Sequence, residues 1–126
     1  QLISLQKGFG SEQLRDSTFA NNIHRLPEGT DTSSGAFMDT AAIMQNLDLI
    51  VSSDTSIVHL AGALGRPVWV LLNVMPDWRW LLDREDSPWY PSMRLFRQTK
   101  PGEWSQVIDA VSHALKLEMS KSDNRP

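Results

Sequence analysis

Ser53-Asp54-Thr55-Ser56 joins the apolar run Leu49-Ile50-Val51 to residues with helical apolar spacing, Ile57, Leu60, Ala61 and Leu64. A strand that turns into a helix here offers unpaired backbone N–H groups and the positive end of a helix dipole, and the hydroxyls of Thr55 and Ser56 add donors. Such a turn suits a diphosphate. Asp54 has two readings: it caps the helix by accepting N–H bonds, or it accepts from sugar hydroxyls beside the diphosphate. His59 follows Thr55 by four residues, so the two share a helical face, and the imidazole can meet the same phosphate or a leaving group. The plainer reading, a hydrogen-bonded structural histidine, stands beside that one. A second anion candidate is Lys7-Gly8-Phe9-Gly10-Ser11-Glu12, where glycines let the backbone approach a phosphate and Lys7 supplies a point charge. Its spacing is neither the G-x-G-x-x-G dinucleotide pattern nor a Walker A loop. Glu12 either accepts from a ribose diol or favours the first helical turn through the dipole. His24, His59 and His113 are too dispersed for a metal triad, and no H-E-x-x-H or paired carboxylates occur, so neither a protein-bound metal nor another cofactor is expected.

Alternating strands and helices must hold these residues. Leu2 to Leu5 reads as a strand closed by the Gly8 and Gly10 turn, and Ser11 to Arg15 as a short helix. Asn22 to Leu26 is a weak second strand, and Pro27 to Gly35 is a loop of turn formers. A helix starting at Asp39 carries Ala41, Ala42, Ile43, Met44 and Leu47 into the strand Leu49-Ile50-Val51. After the Ser53 turn, a helix ends at Gly65, and Pro67 leads into the strand Val68 to Leu72. Asn73 to Ser92 interrupts the alternation with Trp78, Trp80, Trp89 and Tyr90 among Arg79, Asp83, Arg84, Glu85 and Asp86. A strand at Met93 to Phe96 and a helix at 104–117, with Val107, Ile108, Val111 and Leu115 on one face, finish the pattern. Strands apolar on both faces indicate an α/β fold, a parallel sheet with helices on both faces. Ligands bind such sheets beyond the strands' carboxyl ends, so the turns after Leu5, Leu26, Val51 and Leu72 are the expected walls of one site. The charged run Asp83 to Asp86 reads as a solvated loop with local ion pairs. The aromatics around it are too many for an idle loop and are expected to pack over the sheet end or against a partner domain. Gly62, inside a helix, is read as a close-packing position.

The 126 residues suit one compact domain, with 1–119 as the folded part and 120–126 as a disordered polar tail. A chain 40% hydrophobic and 21% charged has ordinary globular composition. No apolar run approaches the roughly 20 residues that cross a bilayer, and no signal segment opens the chain, so no membrane span is expected. The lack of cysteine suits a cytoplasmic location. A net charge of −3 with no basic stripe argues against nucleic acid as a partner. The sequence begins without Met and inside a strand, as if cut from a longer protein.

The run Asp48-Leu49-Ile50-Val51-Ser52-Ser53-Asp54-Thr55-Ser56-Ile57-Val58-His59-Leu60-Ala61-Gly62-Ala63-Leu64-Gly65-Arg66-Pro67-Val68 resembles the donor-site segment of heptosyltransferase-like glycosyltransferases, an Asp-Thr-x-x-x-His-Leu-x-x-Ala-Leu pattern after a buried strand. Its continuation from Pro76-Asp77-Trp78-Arg79-Trp80 to Trp89-Tyr90-Pro91 is similar to bacterial tetratricopeptide-repeat proteins that carry such a module at their C-terminus. Gln6-Lys7-Gly8, Asp39-Thr40-Ala41-Ala42 and the Trp104 helix fit the same group, so the resemblance covers nearly the whole chain. It implies the second, Rossmann-like domain of a two-domain GT-B-type glycosyltransferase that binds a nucleoside diphosphate sugar without a metal. The implied donor contacts are Lys7, Glu12, Asp54, Thr55, Ser56 and His59. The diphosphate would rest on the Thr55 and Ser56 N–H groups, with Asp54 near the sugar, His59 behind the phosphates and Lys7 adding charge. Glu12 would reach the ribose, and backbone of the Leu26 to Met38 loop would meet the base. Two departures accompany it: the strand and glycine-rich turn that precede Leu2 in the family are absent, as is the N-terminal acceptor domain that supplies the catalytic base. The fragment alone is therefore expected to be inactive. The alternatives are a non-catalytic α/β interaction module of a tetratricopeptide-repeat protein and a nucleotide-sugar epimerase-like domain.

Overall fold

The computed structural model describes residues 1–123. It shows an α/β chain with parallel sheets flanked by helices, the class expected from the alternation. Where one sheet was expected there are two, and the chain divides into two compact units, Gln1–Ile43 and Met44–Pro126.

The first unit contains β1 (Leu2–Ser4), α1 (Gln13–Asp16), a 3₁₀ turn (Ala20–Asn22) and β2 (Ile23–Arg25), and ends within α2 (Met38–Met44), whose last residue belongs to the second unit. Strands β1 and β2 pair in parallel, Leu2 opposite Ile23 and Ser4 opposite Arg25. Apolar residues of this unit stay open: Leu2, on β1, is 59% exposed and Phe9 99%. What orders the unit is polar. Asp31, in the left-handed region at φ 62°, accepts from Lys7 Nζ, from the Thr40 N–H at 2.9 Å and from the Thr40 hydroxyl at 2.6 Å. Asp39 accepts from the Asp31 N–H at 2.6 Å and from Ser34 Oγ at 2.6 Å. The Lys7 bond, then the Thr40 hydroxyl, hold the Asp31 carboxyl far below the usual carboxylate range, and Ser34 and the Asp31 N–H lower that of Asp39.

The second unit is built on β3 (Ile50–Ser53), β4 (Val68–Leu72) and β5 (Met93–Arg97), parallel in the order β3-β4-β5. Central β4 reads as an unbroken apolar run because both its faces are covered, and Val68, Val70 and Leu72 are buried. Helix α3 (Ser56–Ala63) buries Val58 and Ala61. It stops at Gly65, φ 66°, whose N–H bonds the Gly62 carbonyl while the Arg66 N–H bonds the Ala61 carbonyl, both at 3.0 Å. That pair of bonds is a Schellman termination, which requires the left-handed conformation glycine adopts freely.

The last helix, α4 (Trp104–Asp123), corrects two expectations. Ser120 to Asp123, expected in a disordered tail, form its final turn, and residues 124–126 lie outside the described residues. Its buried seam is Val107 and Ala114 with Val111 packed beside them against Trp69 and Phe96, whereas Ile108 and Leu115 face solvent.

Candidate functional site

Turn 53–56 sits where the sequence places it, between β3 and α3. The N-cap of α3 is Thr55, in extended backbone at φ −136°, and its side chain makes no capping bond. Its hydroxyl lies 3.4 Å from Ser52 Oγ. The first N–H groups of α3 therefore have no side-chain cap, and Thr55 and Ser56 are exposed.

Asp54 is not the cap. Its Oδ2 accepts the indole N–H of Trp80 at 2.7 Å, and its Oδ1 lies 4.0 Å from His59 Nε2. Trp80 is fully buried, in a 3₁₀ turn (Trp78–Trp80) capped by Asp77, whose Oδ1 accepts the Arg79 N–H at 3.0 Å. His59 stacks on Trp80, with ring centroids 5.3 Å apart at 22°, and its Nδ1 is 3.3 Å from the Tyr90 hydroxyl. The side chains of Asp54 and His59 each remain about a third exposed, open on one side and fixed on the other.

Beyond the carboxyl ends of β3 and β4 lies a cavity of about 200 Å³, lined by Ser53, Asp54, Leu72, Asn73, Asp77 and Trp104 among others. Two carboxylates, an amide and a hydroxyl beside an indole face form a lining of acceptors that suits hydroxyl groups better than an anion. The Arg79 N–H, then its guanidinium 2.8 Å away, lower the Asp77 carboxyl below its ordinary range, so it stays ionised. A larger depression, about 550 Å³, lies between β5, α4 and the Asp83 to Glu85 loop and contains none of the expected site residues.

The six expected contacts divide between the two units. Asp54, Thr55, Ser56 and His59 gather within one turn of chain. Lys7, in the first unit, already engages Asp31 and the Thr30 carbonyl, and Glu12 accepts the Gly10 N–H at 3.2 Å, closing its own turn. The four strand ends likewise fall two and two: those after Leu5 and Leu26 on one sheet, those after Val51 and Leu72 on the other. Among the described residues no group of three or more His, Cys, Asp or Glu is placed to hold a metal ion, and no helix is long and apolar enough to cross a membrane.

Sequence reasoning missed the partners supplied by the insert. Trp80 and Tyr90 lie 26 and 31 residues from the side chains they contact. The density of aromatics was the available signal, and it identified the segment without identifying the pairs. The charged run behaves as read in part: Arg84 forks onto Asp86 at 2.6 and 2.7 Å, and the segment also bonds β5 through the Leu95 N–H to the Glu85 carbonyl at 2.7 Å.

Protein FlbA of Caulobacter vibrioides (strain ATCC 19089 / CIP 103742 / CB 15) is 34% identical over 90 residues, which are 71% of this chain and 15% of that protein. The chain thus spans a small part of the length of the curated relative it matches. No solved structure matches. Residues 35–80, which hold α2, β3, α3, β4 and the Trp80 turn, match the model of glycosyltransferase family 9 (heptosyltransferase), and this supports a glycosyltransferase at the level of the family.

Proposed function

We propose that the second unit provides the donor-binding surface of a glycosyltransferase acting on a nucleoside diphosphate sugar. The observation that carries the reading is the coincidence of the family match over residues 35–80 with an uncapped α3 N-terminus above a polar cavity. The leaving diphosphate rests on the N–H groups of Thr55 and Ser56 and on the Thr55 hydroxyl, with His59 one helical turn along the same face. Backbone donors and the helix dipole meet the charge that develops as the glycosyl bond breaks, in place of a bound metal. The sugar lies over the cavity, its hydroxyls donating to Asp54 and Asp77. Lys7 and Glu12 are left out of this assignment, because both are engaged within their own loops. The acceptor and the catalytic base come from another domain of a longer, tetratricopeptide-repeat protein, so this chain binds donor weakly and does not turn over alone.

The test is an amide-shift titration of the chain with UDP, GDP, ADP and CMP in parallel. Saturable shifts at Thr55 and Ser56 with one nucleotide, weakened by Thr55→Val, support the reading and identify the base. The absence of shifts with all four discards it. Exposed Trp78 and Trp89, 69% and 55% open and packed edge to face, favour the second reading, a non-catalytic docking module, which predicts no nucleotide affinity.

A further inference from the structure

The insert between β4 and β5 reaches back onto two residues of the Asp-Thr-x-x-x-His pattern, Asp54 just before α3 and His59 within it. Trp80 donates to Asp54 and stacks on His59. Tyr90 places its hydroxyl at His59 Nδ1 and its ring against Gly62: a Cβ built at Gly62 would lie 2.6 Å from two carbons of that ring and 2.9 Å from the Met93 methyl. Glycine is therefore required in the helix to let Tyr90 reach the histidine. The insert is itself held, because Arg97 of β5 donates to the carbonyls of Trp80 and Arg84.

We infer that Trp80 and Tyr90 are positioning residues that clasp Asp54 and His59 into one fixed arrangement, so that the aromatic insert belongs to the donor site. The inference rests on the donor-site reading for its purpose, and on the four contacts for its geometry. Because Nε2 is the nitrogen that faces Asp54 Oδ1, the clasp assigns the ring proton to Nε2 and makes the Tyr90 hydroxyl the donor to Nδ1. Asp54 Oδ2 is occupied by the indole N–H, so Oδ1 is the oxygen directed to the ligand and to His59. An unclasped Asp54 would rotate freely about its side-chain torsions, and a binding group held loosely loses affinity through the cost of ordering it.

Two conservative variants separate this from packing. Trp80→Phe keeps a ring on His59 and removes the indole donor; Tyr90→Phe keeps the ring on Gly62 and removes the hydroxyl. In the unliganded chain, nitrogen-detected spectra of the His59 imidazole should show Nδ1 as the acceptor of the Tyr90 hydroxyl. Its resonance should move in the same direction in Tyr90→Phe and in Gly62→Ala, which displaces the same ring by another route. The Trp80 indole N–H resonance should move in Asp54→Asn. With the nucleotide that binds the wild-type chain, Trp80→Phe and Tyr90→Phe should each lose about tenfold in affinity while their amide spectra remain folded. Unmoved imidazole and indole resonances overturn the clasp. Moved resonances with unchanged affinity overturn the positioning role. A wild-type chain that binds none of the four nucleotides removes the donor-site reading and with it the donor role of the clasp, and the unliganded spectra then decide independently whether the clasp forms.

Discussion

Thr55 stands at the cap position of α3, a role the sequence offered to Asp54 beside that of a sugar contact. A serine, threonine or aspartate before a helix usually contributes about 1 kcal/mol by capping. Thr55 occupies the cap position of α3 without making that bond, and its extended backbone suits a β-branched residue. Thr55→Val should therefore lower the unfolding free energy from urea titration by less than a typical cap deletion, below about 0.5 kcal/mol, while weakening nucleotide binding. A loss near the full capping value would mean that the hydroxyl caps in solution and is not free for a ligand. Trp80 behaves oppositely. It is fully buried with its N–H on a carboxylate, so Trp80→Ala should cost about 3–5 kcal/mol in denaturant unfolding. In the first unit the residue to watch is Asp31. Its carboxyl is depressed in the folded chain, chiefly by Lys7 and then by the Thr40 hydroxyl. A depressed carboxyl contributes stability that is present above the unfolded value near pH 4 and is lost as pH falls through the folded value. Acid unfolding followed at Thr40 should begin below about pH 4, and Asp31→Asn should flatten that acid limb. An unchanged acid limb would show that the Lys7 ion pair does not form.

At the scale of elements, alternation of apolar runs and turn formers located every strand, because a buried parallel strand such as Val68 to Leu72 is apolar throughout and is flanked by Pro67 and Asn73. Termini that rest on local chemistry were equally legible. The Gly65 stop is one, since only a positive φ completes the two bonds to Ala61 and Gly62. What depends on distant partners was not. The seam of α4 was read as Val107, Ile108, Val111 and Leu115, yet the helix buries Val107 and Ala114, with Val111 between them. Ala114 packs in the cluster with Trp69 and Phe96, while Leu115, one residue on, is 37% exposed. Gly62 was read as a close-packing site, and the structure supplies the neighbour, the Tyr90 ring. In an unobstructed helix Gly→Ala gains about 1 kcal/mol; here the added methyl overpacks an aromatic ring at a typical cost of about 1–3 kcal/mol. Gly62→Ala should therefore lower the thermal midpoint. A rise would show that the ring yields readily and that the insert is loosely held.

The whole molecule divides where the alternation gave no warning, because the boundary between 43 and 44 lies within α2, whose helical apolar pattern runs across it while the burial does not. Among the described residues, Thr40 is the buried residue of the first unit, whereas the second contains Met44, Ile50, Val58, Val68, Trp80, Leu95, Val107 and others. Opening free energy follows buried apolar contact and protected backbone bonds. A two-strand ladder three residues long, with Leu2 and Ile3 exposed on it, has little of either. The amides of Ile23–Arg25 should therefore exchange through a local opening, while those of Val68–Leu72, paired on both sides by β3 and β5, exchange with the unfolding of the second unit. A native-state hydrogen-exchange series in denaturant should separate the two sets by roughly 2 kcal/mol or more, with a denaturant slope near zero for the first set and large for the second. Donor binding, if carried by Asp54, Thr55, Ser56 and His59 alone, should raise protection in β3, β4 and α3 and leave Ile23–Arg25 unchanged. Protection rising equally in both sets would place ligand contacts on the first unit as well, and would return Lys7 and Glu12 to the site.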